Sequence, residues 1–305
     1  MRFAIAIPQF FSDGEFDPAA FRGYLTRAEE LGFDSAWTQE QLLGSWNQLA
    51  PIETMTYAAA CTQRLRLGCV VFVSTLYSPV HLAKSLSTLD QLSQGRIEVG
   101  VGTGGPSRPF AAFGVDPARY VTRFTEGIAL MQALWTQPKV TFDGKFWQLK
   151  DAAMEPKPVQ KPYPPLWFGA AGEPALRRAV RLGDGFFGAG SSSTAKFAEQ
   201  VQVVRAELAD QGRPAASFPI AKRVYIAIDD DAGRARARMN AALAELYGHR
   251  VEAIEAAAVA GTAADCVREL RQVAEAGAEL ILCTALFEQA EHMEQLAAEV
   301  IPELS

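Results

Sequence analysis

Histidine is scarce in this chain, with three residues among 305. His81, His249 and His292 have no second ligand at metal-binding spacing, so no catalytic metal is expected. His249 and His292 fall in late helical stretches and are expected to be exposed. Cysteine is almost as sparse. Cys61, Cys69, Cys266 and Cys283 form no CxxC pair, which excludes a zinc ribbon or a thioredoxin-like motif. Cys69 and Cys283 lie in apolar, strand-like runs and read as buried, inert thiols. That usage points to the cytoplasm. No GxSxG elbow occurs. No window approaches the ~18 unbroken apolar residues that a membrane span requires. The apolar start is interrupted at Pro8 and followed by Ser12 and Asp13, too short for a signal-peptide core. Positive charge is not in excess either: 29 Lys and Arg stand against 35 Asp and Glu, a net −6, which speaks against nucleic acid or an anionic membrane as partner.

What is present is ordinary globular composition, 49% apolar and 21% charged, in a length that allows one large domain or two average ones. Short apolar runs alternate with helical patterns. The strand-like runs are 2–8, 33–37, 67–73, 96–101, 166–170, 185–188, 220–228 and 279–283. Between them, apolar residues at spacings of three and four predict helices over 17–31, 51–62, 79–93, 117–135, 174–182, 196–208, 232–247 and 262–276, with a last one at 291–301. Alternation with crossover helices implies parallel pairing, because antiparallel neighbours need only a short turn. Eight such units favour an α/β fold of the (β/α)₈ TIM-like barrel type, an open doubly wound sheet being the alternative. One stretch has another texture: residues 140–154 read as a hairpin around Asp143-Gly144, and 154–167 hold five prolines. The chain therefore reads as a single barrel domain over 1–305, with a hairpin and proline-rich insertion near 137–165.

Three loops attract notice. The loop Gly100-Val-Gly-Thr-Gly-Gly105 formally matches GxGxxG, but Pro106 and Pro109 follow where a dinucleotide fold would begin a helix. A permissive backbone against a flat ligand, or a structural turn, are the competing readings. The loop Gly183-Asp-Gly-Phe-Phe-Gly-Ala-Gly-Ser-Ser-Ser-Thr194 runs from a strand into a helix capped by Ser or Thr, which suits a phosphate on free amides, or simply an ordinary cap. The turn Gly169-Ala-Ala-Gly-Glu-Pro174 is a companion to it. The loop after the second strand, Thr38-Gln-Glu-Gln-Leu-Leu-Gly-Ser-Trp46, offers Glu40 and Gln41 as candidate catalytic residues touching substrate or cofactor. A plain ion pair of Glu40 with an arginine is the alternative. A chain with such loops but few reactive side chains points to a cofactor that supplies the reactivity.

A resemblance accompanies these residues. Gly32-Phe-Asp-Ser-Ala-Trp37, Ser78-Pro-Val-His-Leu-Ala-Lys84 with Thr88-Leu-Asp-Gln-Leu-Ser93, Gly95-Arg-Ile-Glu-Val-Gly-Val-Gly102, and Pro164-Pro-Leu-Trp-Phe-Gly169 with Ala175-Leu-Arg-Arg-Ala-Val-Arg-Leu-Gly-Asp-Gly185 resemble the luciferase-like monooxygenase superfamily. The likeness covers essentially the whole chain. It implies a TIM-like barrel enzyme using the deazaflavin coenzyme F420, slightly preferred, or FMN. It would place the cofactor ring against a bulge at Val70 and Val71, where family members often have a non-proline cis peptide, and beside Gly102, Thr103 and Gly104. It would place the phosphate near Ala171, Gly172, Gly188, Ala189, Gly190, Ser191 and Ser192. Trp37, Trp46 and Phe10 would supply apolar walls.

One departure is specific. Several deazaflavin-dependent dehydrogenases of the family carry Asp-His where this chain has Glu40-Gln41, and an amide is no general base near neutral pH. The stretch Gly104-Gly105-Pro106 also lacks their acid, so sugar-phosphate oxidation by that route is not expected. The implied activity is that of an oxidoreductase, transferring hydride to a small organic substrate or oxygenating it, with no metal. Resemblance further implies a homodimer and, for FMN, a separate cofactor reductase. A flavin-storage barrel without turnover is the rival reading. A lyase or aldolase would need a strand-end lysine, and Lys84 and Lys222 are not so placed.

Overall fold

The computed structural model describes residues 1–11, 15–105 and 109–304. Pro106, on which part of the loop reading rests, lies outside the described residues. The first part of the chain runs β1 (Arg2–Ala6), α1 (Pro18–Glu30), β2 (Ser35–Thr38), α2 (Pro51–Cys61), β3 (Arg66–Val73), α3 (Pro79–Leu92), β4 (Ile97–Gly102) and α4 (Tyr120–Thr136). The hairpin β5 (Val140–Asp143) and β6 (Gln148–Ala152) follows, then β7 (Leu166–Gly169), α5 (Glu173–Leu182), β8 (Gly185–Gly188) and α6 (Thr194–Asp210). The rest comprises β9 (Ile220–Ile228), α7 (Ala232–Tyr247), α8 (Glu252–Glu255), β10 (Val259–Gly261), α9 (Ala263–Glu275), β11 (Leu280–Thr284) and α10 (Gln289–Gln295).

The sheet order is β9, β11, β1, β2, β3, β4, β7, β8, and β8 pairs again with β9, so eight strands close into a barrel. Parallel registers such as Phe3↔Ile281, Ile5↔Ala36 and Val99↔Leu166 carry the ring. The fold is the (β/α)₈ barrel, and the doubly wound alternative falls. Its strands are buried along nearly their whole length, as strands covered on both faces must be.

Helix starts follow local chemistry. Asp17 accepts from the amides of Ala19 and Ala20 at 2.8 and 3.1 Å, and proline fills the first turn of α1, α2, α3 and α5. Thr262 and Asp265 form a reciprocal capping box on α9. Two elements were not foreseen: β10, which extends β9 through Val259↔Ile226, and the single turn of α8. Both are too short to carry a periodic signal. The expected helix over 291–301 is α10 followed by a π-turn over Leu296–Val300 and a 3₁₀ turn over Ile301–Leu304. Pro302 has no N–H with which to continue an α ladder.

By contacts the chain groups into two compact units, one of Met1–Pro8, Asp17–Trp37 and Gly169–Ser305, the other of Gln9–Phe16 and Thr38–Phe168. Within the first, the exposed Arg27 reaches Glu294 at 2.6 Å, and Trp37 lies buried edge-on to Phe187, 4.8 Å between centroids, with its indole N–H on Ser35. Trp37 is therefore core and not the wall of an open site, as had been expected. Also in this unit, His292 is 2% exposed, its Nδ1 3.0 Å from the Glu288 carbonyl, which corrects the expectation of an exposed histidine.

Within the second unit, Arg96 ties α2 and α3 to the start of β4. Its guanidinium donates to the carbonyls of Ala59, Leu65 and Ser93 at 2.9, 2.9 and 2.7 Å and to the Thr62 hydroxyl at 2.9 Å. A lysine has one nitrogen to offer these acceptors. Arg96→Lys should cost about 2–3 kcal/mol in urea unfolding, because carbonyls shielded from water lose their donors.

Candidate active site

The first candidate region lies in the second unit, at the C-terminal end of β3, where barrel enzymes build their sites. The Val70–Val71 peptide bond is cis, and the β3–β4 register shifts between Cys69 and Phe72. Val70 and Val71 are half-buried there. Gly100 faces the bulge so closely that a Cβ on it would stand 2.1 Å from the Cys69 carbonyl oxygen. Only glycine permits that approach.

Glu40 reaches this bulge from the loop after β2. Gln9 fastens the loop through its side-chain amide, which donates to the carbonyls of Gln39 and Leu49 at 3.0 and 2.9 Å and accepts from Gln39 N–H. Thr38 adds a hydroxyl bond to Gly68 O at 3.0 Å. So delivered, the Glu40 carboxylate is 8% exposed and accepts from Val73 N–H with one oxygen and from the Tyr77 hydroxyl with the other. Burial, then the Glu40 charge, push the Tyr77 phenol well above its ordinary range, so it keeps its proton and donates it. The same two causes raise the thiol of Cys69. Gln41 is half-buried with its amide folded over Gly44, where a Cβ would meet it at 1.8 Å.

Around the bulge, Thr75 donates to Thr103 O at 2.8 Å, and its own carbonyl accepts Arg123 Nε at 3.1 Å. Gly102 ends β4 and is buried; Thr103 is half-buried, and Gly104 turns with φ +72°. The buried Ser74 hydroxyl finds no hydrogen-bond partner among the described residues. A buried hydroxyl without a partner carries a desolvation cost that a hydrogen bond from outside the chain would offset.

The second candidate region lies in the first unit, after β7 and β8. Ala171 and Gly172 are exposed at the N-terminus of α5, with Gln200 donating to Ala171 O at 3.2 Å. Gly188 ends β8, and Ala189, Gly190, Ser191 and Ser192 lead to Ser193, whose side chain caps α6 by accepting from Lys196 N–H at 3.2 Å. Beneath this loop lies Lys222 of β9. It is 2% exposed, and its ammonium donates to Ala189 O and, at 2.9 Å, to Ser192 O. A Cβ on Gly188 would come within 2.6 Å of the Phe197 ring and 3.1 Å of Lys222 Cδ, so the bare glycine lets both close in.

Burial, and secondarily Arg223, push Lys222 down from its ordinary 10.5 to about 7. Between these values the unfolded chain holds a proton the folded chain lacks, so stability rises with pH. The buried thiols of Cys266 and Cys283, raised from 9.0 to about 12, act oppositely above about pH 9. Stability should therefore climb by about 2–3 kcal/mol between pH 7 and 9, at ~1.36 kcal/mol per pH step. Urea titrations across that range measure it, and Lys222→Met should abolish the climb.

Glu40, Val70, Val71, Gly102, Thr103 and Gly104 thus gather in one unit, and Ala171, Gly172 and the loop 188–192 in the other. Glu40 holds a backbone amide and a phenol, which its own loop could not reveal. The sequence reading missed Tyr77, Ser74 and the use of Lys222. A signal for the last exists: a lysine inside the apolar run Ile220-Ala-Lys-Arg-Val-Tyr-Ile226 has to be paired or hydrogen-bonded.

A closed (β/α)₈ barrel with a bulged third strand and a glycine-rich, serine-capped loop after a late strand is a barrel of the kind in which enzymes place their sites at the C-terminal strand ends. Comparison identifies the family. The model of the luciferase-like monooxygenases matches residues 1–280, and the chain belongs to that family of oxidoreductases. Among curated relatives, an F420-dependent glucose-6-phosphate dehydrogenase of Beutenbergia cavernae is 34% identical over 231 residues, 72% of this chain and 68% of that protein. Among solved structures, the monooxygenase RslO1 from Streptomyces bottropensis superposes with a TM-score of 0.87 at 22% identity, covering 100% of both chains. An F420-dependent secondary alcohol dehydrogenase in complex with an F420–acetone adduct gives 0.85 at 19% identity, over 100% of this chain and 99% of that one. The two structural likenesses speak for the fold.

Proposed function

We propose that this chain is an F420-dependent oxidoreductase that moves hydride between the coenzyme and a small organic substrate. Val70, Val71, Gly102, Thr103 and Gly104 would contact the ring, and Ala171, Gly172, Gly188, Ala189, Gly190, Ser191 and Ser192 the phosphate. The observation that carries the reading is the buried Ser74 hydroxyl without a partner among the described residues, next to Val73, whose N–H Glu40 holds at the end of the bulged strand. It fits a ring with polar edges. The amides of a capped loop fit an anion.

When bound, F420 supplies a carbon centre that accepts or donates a hydride. The chain's own residues orient and enclose. Glu40 positions the bulge through its bonds to Val73 N–H and the Tyr77 hydroxyl. Gln41 stands where the family's sugar-phosphate dehydrogenases carry a histidine; its amide can orient a substrate but is no general base near neutral pH. The named activity of the Beutenbergia relative, glucose-6-phosphate oxidation, is accordingly not the reading favoured here. We read residues 1–305 as one barrel domain with the hairpin insertion, acting in the cytoplasm as a homodimer. No described helix is long and apolar enough to cross a membrane.

Equilibrium binding decides between cofactors. The purified chain should bind F420 at micromolar concentration and FMN at least ten times more weakly, followed by fluorescence, the factor of ten being ~1.4 kcal/mol. Binding of FMN alone would replace hydride transfer by oxygenation, with a separate reductase supplying the reduced cofactor.

A further inference from the structure

The strongest unassigned feature is a charged group buried behind a loop that carries no charge of its own. Lys222 is 2% exposed, yet among the described residues no carboxylate holds it: its ammonium donates to two backbone carbonyls, of Ala189 and Ser192. Ser192 N–H closes the same turn onto Ala189 O at 3.1 Å. The amides of Gly190 and Ser191 stand outside these bonds. Where successive carbonyls of a tight turn are drawn to one side, the intervening N–H groups are left to form a concave anion site on the other.

We propose that Lys222 is a positioning residue for this loop: it draws the carbonyls of Ala189 and Ser192 inward, turns the intervening amides toward the cofactor's phosphate, and ties cofactor affinity to its own protonation. The inference rests on the reading of the loop as the cofactor's phosphate site. Two further contacts make the lysine specific to this task. The Phe197 ring of α6 lies 5.8 Å from the ammonium, a cation–π contact that favours its charged form, and Gly188 leaves room for its stem. The charged group acting on it is Arg223, its neighbour in β9. From the elements packed against it, α6 brings Phe197, while Gly188 of β8 and Ile281 of β11 are its register partners, all uncharged. A charge opposed by burial and by Arg223 is lost more readily than that of an ordinary lysine. Its loss removes a positive centre from behind the phosphate and loosens two carbonyls.

The test is the dissociation constant of F420, followed by fluorescence from about pH 6 to pH 9, for the native chain, Lys222→Arg and Lys222→Met. For the native chain affinity should fall about tenfold across the range. Lys222→Arg, charged throughout, should lack that fall, and Lys222→Met should bind at least about tenfold more weakly at pH 6. A slope common to all three chains belongs to the ring of F420 itself and cancels in the comparison. Native and Lys222→Arg chains with equal slopes, or native affinity in Lys222→Met at pH 6, would overturn the proposal. Failure of the native chain to bind F420 at any pH would overturn the cofactor reading and this inference with it.

Discussion

Glu40→Ala should lower stability by about 3 kcal/mol and weaken F420 binding about a hundredfold. The Glu40 carboxylate fills two roles at one point, and alanine fills neither. Val73 N–H and the Tyr77 hydroxyl both lose their acceptor. A buried donor left unsatisfied costs about 1–3 kcal/mol, and Tyr77 has water within reach while Val73 does not. The end of β3 then relaxes, and a ring site misplaced by as little as ~1 Å loses most of its value. Glu40→Gln separates shape from charge. Its carbonyl can still accept from Val73, so it should cost only about 1 kcal/mol and keep most of the binding. Urea titration reads the first quantity and F420 fluorescence the second. If Glu40→Ala binds F420 as the native chain does, Glu40 has no positioning role.

Gly100→Ala tests the bulge from the opposite strand. The added methyl would stand 2.1 Å from Cys69 O, a backbone atom that no side-chain rotation can move. The ladder between β3 and β4 must open to admit it. A cost of about 3 kcal/mol or more is expected, which lowers Tm by roughly 5 °C for a chain of this size. Gly23 of α1 is the control, because nothing lies within 4 Å of its missing Cβ. There alanine should raise stability by about 0.5–1 kcal/mol through helix propensity alone. Equal Tm changes for the two variants would refute the crowding argument.

Much of the fold is legible from local pattern. Continuous apolar runs such as Leu67-Gly-Cys-Val-Val-Phe-Val73 mark strands covered on both faces, and prolines at 18, 51, 79 and 174 mark helix starts. The hairpin insertion declares itself by Asp143-Gly144 and the prolines beyond it. What escapes is short or long-ranged. β10 has too few residues to show a period, and the end of α10 depends on Pro302, whose effect is felt in the turn before it. His292 looks exposed because its polar neighbours Glu291 and Glu294 surround it in sequence, while the helix turns its ring against Phe287, 5.1 Å between centroids.

By itself the sequence determined the alternation of strand and helix and hence a parallel sheet, with the glycine-rich loops set at strand ends. Those properties follow from neighbours a few residues apart, where periodicity and turn chemistry act. The closure of β8 onto β9 belongs to the tertiary structure. Only the tertiary structure decided that Glu40 spends its carboxylate on Val73 and Tyr77, 33 and 37 residues away, and that Lys222 supports a loop 30 residues before it. A carboxylate or an ammonium acts on whatever the closed barrel brings within hydrogen-bond reach, and strand order, not spacing along the chain, chooses those partners.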